Sequence, residues 1–398
     1  MQKTLMILGA SILQLPAIQQ AKKMGIKVVA VDMNPNAIGF YEDGIVKEVI
    51  STIDIPAVIY VAKKNKIDGI MTLASDMPMR SVAAVAKELG LIGISEETAL
   101  KATNKALMRQ ALLEHDVPIP KFFRVTDYDE FQDTISNFRD AFIVKPADNS
   151  GSRGIYKIDK CADKKTIEKA FKYSKAASRC GDLVVEEFMK GSEVSVETLT
   201  TNNQCTVIQI TDKVTSGAPH FVELGHSQPS RLTSEVISRI KEITVAANQA
   251  IGITTGPSHT EIIVTEEGPK IVELGARLGG DCITTHLVPL STGINMVECC
   301  VKIALGECPD IEPKWNRGAA IRYFKQHAGT VKSIIGIEQA KEMKGVEHLS
   351  IVHGCGEKIT EITDSASRMG FVIATGNNFK EAVINCENAI NKISLEIE

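Results

Sequence analysis

The sequence predicts an α/β fold for the first hundred residues and an α+β fold for most of the remainder. Short apolar or β-branched segments alternate with helix-like segments over residues 4–89, which is typical of a parallel sheet with helices on both faces. From residue 141 onwards, strand-like segments follow one another with fewer helices between them. The chain has 398 residues, more than one ordinary hydrophobic core needs, so we expect several domains.

Residues 1–95 are predicted to form a small, doubly wound, parallel-sheet domain. Its predicted strands are residues 4–8, 27–32, 45–50 and 69–73, and its predicted helices are residues 13–24, 55–64 and 79–89. The loop after the first strand lacks the second and third glycines of a GxGxxG motif. Binding of NAD is therefore not expected.

Residues 96–200 and 201–310 are predicted to be two halves of one α+β region, and residues 311–398 a small C-terminal α/β unit. A helix over residues 96–115 is expected to end before the prolines at 118 and 120. The further predicted strands are residues 141–145, 154–158, 183–187, 193–200, 205–210, 256–264 and 270–273, and the further helices are residues 164–177, 234–251 and 379–393.

The composition excludes some partners. Lys and Arg number 45 against 49 Asp and Glu, for a net charge of −4, so the basic excess that favours nucleic acid is absent. No apolar run approaches the ~18 residues of a membrane span. The apolar stretch at the N-terminus is too short for a signal peptide. With nine cysteines and no CxxC pair, we expect reduced thiols and a cytoplasmic protein.

A loop rich in glycine and serine, residues 148–154, lies between two predicted strands. Backbone N–H groups of such a loop can approach phosphate oxygens closely, and Lys145 just before it would add a positive charge. The terminal Gly-Lys-Ser/Thr of a Walker A loop is missing. Phosphate binding and an ordinary strand connection both remain open on this motif alone.

Glu261 and Glu273 lie on two predicted strands joined by a turn at residues 266–268. A hairpin of this length can place both carboxylates side by side on one face. Two adjacent carboxylates repel unless a cation lies between them, and Mg²⁺ prefers a few carboxylates together with phosphate oxygens. The hairpin therefore predicts a metal site, with two exposed strand charges as the alternative.

Other polar residues carry weaker signals. Arg277, four residues after Glu273 and flanked by glycines, suits a phosphoryl group or a surface salt bridge. A carboxylate at the end of the strand 183–187 could accept hydrogen bonds from ribose. His226 and His259 have no Cys or His partner at metal-binding spacing, so substrate contact and a structural role both remain open.

Taken in order over residues 1–310, these motifs resemble the ATP-grasp superfamily. The order is Asn-Lys at 104–105, Val-Pro-Ile-Pro at 117–120, Ile-Val-Lys-Pro before the Gly/Ser loop, Glu-Glu-Phe at 186–188, Thr-Glu-Ile at 260–262, and Val-Glu-Leu-Gly-Ala-Arg at 272–277. The resemblance is to the biotin carboxylase, carbamoyl phosphate synthetase and purine-pathway ligase group and to bacterial L-amino acid ligases. It implies an ATP-grasp fold preceded by the small parallel-sheet domain.

The resemblance also implies a role for each matching residue. ATP phosphates are expected at Lys105 and Lys145, under a flap that contains Ser150, Gly151, Ser152 and Gly154. Adenine is expected at Glu186, Glu187 and Phe188, ribose at Glu193, and Mg²⁺ (with Mn²⁺ as an alternative) at Glu261 and Glu273. Arg277 and Lys145 are expected to be catalytic. The substrate is expected near Ser75, Asp76 and His226.

The implied activity is that of an ATP-dependent carboxylate–amine ligase, which forms an acyl phosphate and releases ADP and phosphate. Its partners would be a small carboxylate and an amine, and the resemblance suggests a homodimer. The alternatives are a bicarbonate-using purine-pathway carboxylase, a phosphoribosylglycinamide synthetase-like ligase and a non-catalytic nucleotide-binding protein. One departure stands out: Gly275 occupies the position where the family often has a metal-binding Asn.

Overall fold

The N-terminal unit is a parallel sheet of four strands, as the computed structural model of residues 2–398 shows. The strand order is β3-β2-β1-β4. The strands are β1 (Thr4–Leu8), β2 (Lys27–Val31), β3 (Val46–Glu48) and β4 (Gly69–Thr72), and the helices are α1 (Leu15–Lys23), α2 (Ile55–Asn65) and α3 (Pro78–Leu89). Side chains of β1 alternate between two buried clusters, which matches helices on both faces.

Both of those clusters continue into the rest of the protein. One joins Met6 to Ile262 and Ile271, and the other joins Ile7 to Ile321 and Leu287. Because the N-terminal sheet shares its two cores with later segments, its loops are held in fixed positions relative to them.

Two helices follow, α4 (Glu96–Ala102) and α5 (Lys105–Glu114), where the sequence predicts one. The break is at Asn104, whose extended backbone interrupts the helix. The Asn104 side chain accepts hydrogen bonds from the N–H groups of Ala106 and Leu107 and caps α5. This cap places Lys105 at the first position of the helix.

An antiparallel sheet with strand order β5-β8-β6-β7 comes next. Its strands are β5 (Phe122–Val125), β6 (Phe142–Pro146), β7 (Tyr156–Ile158) and β8 (Leu183–Glu187), and its helices are α6 (Tyr128–Ile135) and α7 (Lys164–Ala177). The strand β5 is absent from the sequence-based prediction. The Gly/Ser loop connects β6 to β7.

The largest sheet has eight strands in the order β13-β12-β9-β10-β11-β14-β18-β16. Its first part consists of β9 (Ser192–Thr201), β10 (Gln204–Thr215), β11 (Glu223–Gln228), β12 (Gly256–Thr265) and β13 (Gly268–Gly275), with the helices α8 (Ser234–Ile251), α9 (Val288–Thr292) and α10 (Met296–Ala304). The predicted boundary between residues 200 and 201 falls at the end of β9, but β9 pairs with β10 and β12. In the structure the two sheets divide between β8 and β9.

The C-terminal segment extends the same sheet and adds a small one. It contains β14 (Gly318–Tyr323), β15 (Gly329–Ile335), β16 (Val346–Ile351), β17 (Lys358–Ile359), β18 (Gly370–Gly376) and β19 (Ser394–Ile397), with the helices α11 (Ile337–Lys341) and α12 (Phe379–Lys392). β14, β16 and β18 continue the large sheet, because β14 pairs with β11. β15, β17 and β19 form a separate three-stranded sheet.

Within residues 2–398, no single helix is long and apolar enough to cross a membrane; one bent pair, Ile283–Thr292 with Met296–Ala304, meets the length and composition requirements.

Candidate active site

The hairpin of β12 and β13 places two carboxylates beside each other, as the sequence predicts. Glu261 pairs directly with Glu273 across the antiparallel ladder, so both side chains project from the same face. They line a cavity of about 540 Å³ between the N-terminal unit, the Gly/Ser loop and the large sheet. We call it the reaction cavity. The predicted residues that line it are Ser75, Asp76, Ser150, Gly151, Ser152, His226, Glu261, Glu273 and Arg277.

Lys105 connects the Gly/Ser loop with the hairpin. Its ammonium group donates a hydrogen bond to the carbonyl oxygen of Asn149 at 2.6 Å and lies 3.2 Å from a carboxylate oxygen of Glu273. A helix cap next to Lys105 fixes where its side chain begins. The sequence places Lys105 near phosphate by resemblance only. In the structure Lys105 lines a small neighbouring cavity, which shares Asp76, Glu273 and Arg277 with the reaction cavity.

The Gly/Ser loop has the backbone of an exposed flap with a fixed base. Gly151 and Ser152 both have positive φ, of 65° and 56°. At the base, the buried carboxylate of Asp148 accepts hydrogen bonds from the N–H groups of Arg179 and Cys180 at 2.9 and 2.8 Å. The loop tip therefore reaches into the cavity from a firmly held base.

A second cavity, of about 320 Å³, contains Phe188 and Glu193. We call it the nucleoside cavity, because these residues are the ones predicted to hold adenine and ribose. Lys213 lines both this cavity and the reaction cavity.

Lys213 was missed by the sequence analysis, yet it lies at the centre of the charge network. It projects from β10 with 3% of its side chain exposed, and its ammonium contacts Glu193 at 2.5 Å, Glu261 at 2.8 Å and Glu223 at 3.7 Å. Burial alone would lower the pKa of Lys213, but the three carboxylates raise it well above its ordinary value. The sequence around Lys213 shows only that this lysine follows the predicted strand at residues 205–210.

His259 gives Glu261 a second cationic neighbour. Its Nδ1 lies 2.5 Å from Glu197 and its Nε2 lies 3.5 Å from Glu261. Burial acts to lower the pKa of His259, but the charge and hydrogen bond of Glu197 raise it to about 9. His259 is therefore an imidazolium at neutral pH.

Lys145 and Glu186 are paired with each other behind the reaction cavity. Glu186 lies 2.7 Å from Lys145 Nζ and 2.7 Å from Arg109 Nε, and Arg109 also donates to the carbonyl oxygen of Val272 at 2.6 Å. Burial would raise the pKa of Glu186, but Arg109 and Lys145 lower it to about 2. The Glu186 carboxylate thus links α5, β6 and β8, and its predicted contact with adenine stays a prediction.

Burial and the neighbouring Arg109 and Lys105 lower the pKa of Lys145, although Glu186 opposes this shift. Glu187 differs from its neighbour on the same strand, because it is partly exposed and contacts Lys270 at 3.0 Å.

Arg277 is held by a carboxylate from the N-terminal unit. Its Nε and Nη2 donate to Asp76 Oδ1 and Oδ2 at 2.8 and 3.3 Å, which is a bidentate pair. Burial would raise the pKa of Asp76, but the charge of Arg277 lowers it. The predicted substrate residue Asp76 and the predicted catalytic residue Arg277 are therefore direct partners.

The same pair explains Gly275. A Cβ atom at residue 275 would lie 2.7 Å from Asp76 Oδ1 and 3.3 Å from the Arg277 guanidinium. The space in which an Asn side chain would begin is thus filled by the carboxylate of Asp76. Asp76, from the N-terminal unit, thus occupies the space at Gly275 where the family often has an Asn side chain.

His226 lines the reaction cavity and is almost wholly buried. Its Nε2 lies 3.4 Å from Asp281, which also forms a bidentate pair with Arg368 at 2.8 and 2.7 Å. Burial would raise the pKa of Asp281, but the hydrogen bonds from Arg368 and His226 lower it strongly.

The side chains at the hairpin suit a hard divalent cation. Glu261 and Glu273 offer carboxylate oxygens side by side, and both are partly exposed to the reaction cavity. Among residues 2–398, no group of three or more His, Cys, Asp or Glu side chains is arranged to hold a metal. A cation here would therefore complete its shell with phosphate oxygens and water.

Comparison with known proteins identifies the fold around this site. Residues 138–285 match the ATP-grasp domain family, and residues 322–398 match the L-amino acid ligase C-terminal domain 2 family. The chain carries an ATP-grasp domain. The matched range includes the Gly/Ser loop, residues 186–193 and the β12–β13 hairpin.

Three similar proteins illustrate the relationship. The L-arginine-specific L-amino acid ligase of Bacillus subtilis is 25% identical over 300 residues, which cover 72% of this chain and 71% of that protein. The L-amino acid ligase of Bacillus licheniformis has a TM-score of 0.85 at 23% identity, with 100% and 99% of the two chains covered. The phosphoribosylglycinamide synthetase of Anaerococcus prevotii has a TM-score of 0.81 at 22% identity, with both chains fully covered.

These findings confirm the predicted family, the predicted fold class and the predicted enzyme class, an ATP-grasp ligase. The parallel sheet of the N-terminal unit and the antiparallel sheets of the ATP-grasp domain are both present.

We expect Glu186→Gln to lower the free energy of unfolding by about 3–5 kcal/mol, because it leaves Arg109 and Lys145 buried without their counter-charge. Urea denaturation measures the loss. Glu187→Gln, a partly exposed neighbour on the same strand, is the control and should cost well under half as much. In the wild type, the stabilisation that ionised Glu186 provides should be complete above the ordinary glutamate pKa of 4.5. It should disappear as the pH falls through the lowered pKa of about 2.

We expect Gly275→Asn to cost roughly 1–3 kcal/mol, because its Cβ meets the Asp76 carboxylate. Asp76→Ala removes that obstacle, so the double variant should lose less stability than the two single losses added together. Strictly additive losses in thermal unfolding would contradict the direct contact.

Proposed function

We propose that this protein activates the carboxylate of an L-amino acid with ATP and joins it to an amine through an acyl phosphate. The support for an amino acid substrate is the match of residues 322–398 to the L-amino acid ligase C-terminal domain, together with the L-amino acid ligases among the relatives. The products would be an amide, ADP and phosphate.

The observation that carries the proposal is the hairpin in its cavity. Glu261 and Glu273 face the same space as Arg277 and the flap, and Lys105 lies next to Glu273 in a neighbouring small cavity. Two carboxylates for a cation, and two cationic side chains beyond it, are the groups that phosphoryl transfer from ATP requires.

In the first step, a carboxylate oxygen of the substrate attacks the γ-phosphorus of ATP. The bond from that phosphorus to the bridging oxygen breaks, and the oxygen leaves with ADP. Lys105 and the N–H groups of the flap would hold the phosphates, and Glu261 and Glu273 would hold Mg²⁺ or Mn²⁺. A bound Mg²⁺ neutralises negative charge on phosphate oxygens.

In the second step, the amine nitrogen attacks the acyl carbon, the bond to the phosphate oxygen breaks, and phosphate carries away the proton that nitrogen loses. Arg277, oriented by Asp76, would stabilise the charge on the acyl phosphate and its oxyanion. The flap would exclude water, which otherwise hydrolyses the intermediate. A direct phosphate contact for Lys145 stays a prediction, since its ammonium already binds Glu186.

A second candidate is the joining of glycine to phosphoribosylamine. It is favoured by the fully covering match to a phosphoribosylglycinamide synthetase and by phosphoribosylamine–glycine ligases among the relatives. Bicarbonate as the carboxylate is the third.

All nine cysteines are free, which supports a cytoplasmic location where thiols stay reduced.

The proposal predicts release of ADP that depends on added L-amino acids. We expect Arg277→Ala to lower this rate by roughly 100-fold or more, because one oriented donor to the transition state is lost. Arg124→Ala, a half-exposed arginine on β5, is the control and should retain full rate. ADP release with glycine and phosphoribosylamine alone, or with bicarbonate alone, would replace the proposal by one of the other candidates.

The metal site predicts a dependence on divalent cations. ADP release should stop in EDTA and return with Mg²⁺ or Mn²⁺. Glu273→Gln should raise the Mg²⁺ concentration for half-maximal rate by about 10-fold or more, since one of two carboxylate ligands is lost. Glu267→Gln, on the exposed turn of the same hairpin, should leave the Mg²⁺ titration unchanged.

A further inference from the structure

A further cavity of about 490 Å³ opens beside the reaction cavity, between the N-terminal unit, the segment after β13 and the C-terminal segment. We call it the side pocket. It shares five lining residues with the reaction cavity: Leu13, Ala74, Gly280, Asp281 and Ser365. The two cavities therefore adjoin each other at these residues.

The wall of the side pocket is mostly apolar and partly aromatic. Leu13 comes from the loop before α1, and Val352 comes from the end of β16. The rings of Tyr323 and Phe371 meet edge to face at 5.9 Å, and His348 lies 5.6 Å from Phe371. The volume lies in the range of about 300–1,000 Å³ that is typical of small-molecule sites, so a large side chain fits.

Four polar side chains at this pocket, those of Asp281, Cys282, His286 and Arg368, offer no free charge to a ligand. The charges of Asp281 and Arg368 are paired bidentately with each other. Burial and the nearby His348 lower the pKa of His286, so its ring is neutral. Burial and the charge of Asp281 raise the pKa of the Cys282 thiol to about 12, so it stays protonated. A charged side chain placed here would lose its hydration with no partner in return.

The backbone at the junction between the two cavities is strained. Asp281 and Cys282 have φ of 49° and 61°, in the left-handed region that non-glycine residues rarely adopt. Such strain concentrates at ligand-binding segments. Gly280 next to them lines both cavities, and a Cβ there would approach only Ala74, at 3.8 Å.

We propose that the side pocket receives the large apolar or aromatic side chain of an amino acid substrate, and thereby restricts this enzyme to such substrates. The proposal rests on the proposed function, because the reacting group of that amino acid must lie in the reaction cavity. The size of the pocket and its mostly apolar wall select for Leu, Met or Phe over Asp, Glu or Lys.

The test uses the full chain with ATP, Mg²⁺ and single or paired L-amino acids. We expect kcat/KM for ADP release to be at least 10-fold higher with Leu, Met or Phe than with Asp, Glu or Lys. Val352→Asp places a charge at the rim, where Val352 is 58% exposed, so the fold should be unaffected. It should lower kcat/KM by roughly 10-fold for Leu and Phe while changing that for Gly and Ala little.

Ile384→Asp is the matched control, because Ile384 is 53% exposed on α12 and does not line the pocket. Ile384→Asp should leave kcat/KM unchanged for every amino acid. The side-pocket proposal would be wrong if kcat/KM were equal for charged and apolar amino acids. It would also be wrong if Val352→Asp changed kcat/KM equally for Gly and Phe. Neither result would contradict the proposed ligase activity.

Calorimetric titration of the protein with L-phenylalanine separates the pocket from the reaction. Binding of phenylalanine that Val352→Asp weakens, with no ADP release for any amino acid, would support the pocket and overturn the proposed function. Absence of such binding, with ADP release intact for charged amino acids, would overturn the pocket alone.

Discussion

The site depends on one electrostatic constraint: two carboxylates on paired strands must be compensated by positive charge. Glu261 and Glu273 are direct neighbours across the hairpin, and their repulsion would splay the side chains in a bare, low-dielectric cavity. Lys213 and the His259 imidazolium neutralise one of them, and Lys105 approaches the other. These cations compensate the negative charge of both carboxylates.

A second dependence crosses between domains. The Asp76 side chain from the N-terminal unit orients Arg277 and fills the space beside Gly275 that a larger side chain would need. Gly275 and Asp76 therefore depend on each other. The two hydrophobic cores that β1 shares with later segments hold the N-terminal unit next to the large sheet. The N-terminal unit is thus part of the site rather than an appendage.

The reaction cavity adjoins both the nucleoside cavity and the side pocket. Lys213 lines the nucleoside cavity and the reaction cavity, while Gly280 and Asp281 line the reaction cavity and the side pocket. Under the proposed function, the nucleotide and the amino acid would lie on the two sides of the paired carboxylates, because both must reach the same phosphoryl group.

The sequence by itself determined the alternation that builds the parallel sheet, the hairpin that pairs Glu261 with Glu273, and the order of motifs that indicates an ATP-grasp ligase. These are local patterns, set by periodicity, turn residues and spacing. Only the tertiary structure decided the partners of Glu186, the central place of Lys213, the Asp76–Arg277 pair and the side pocket. Each of these features joins residues that are far apart in the chain. The residues next to a charged side chain in the sequence do not indicate whether it is buried or which counter-charge it contacts.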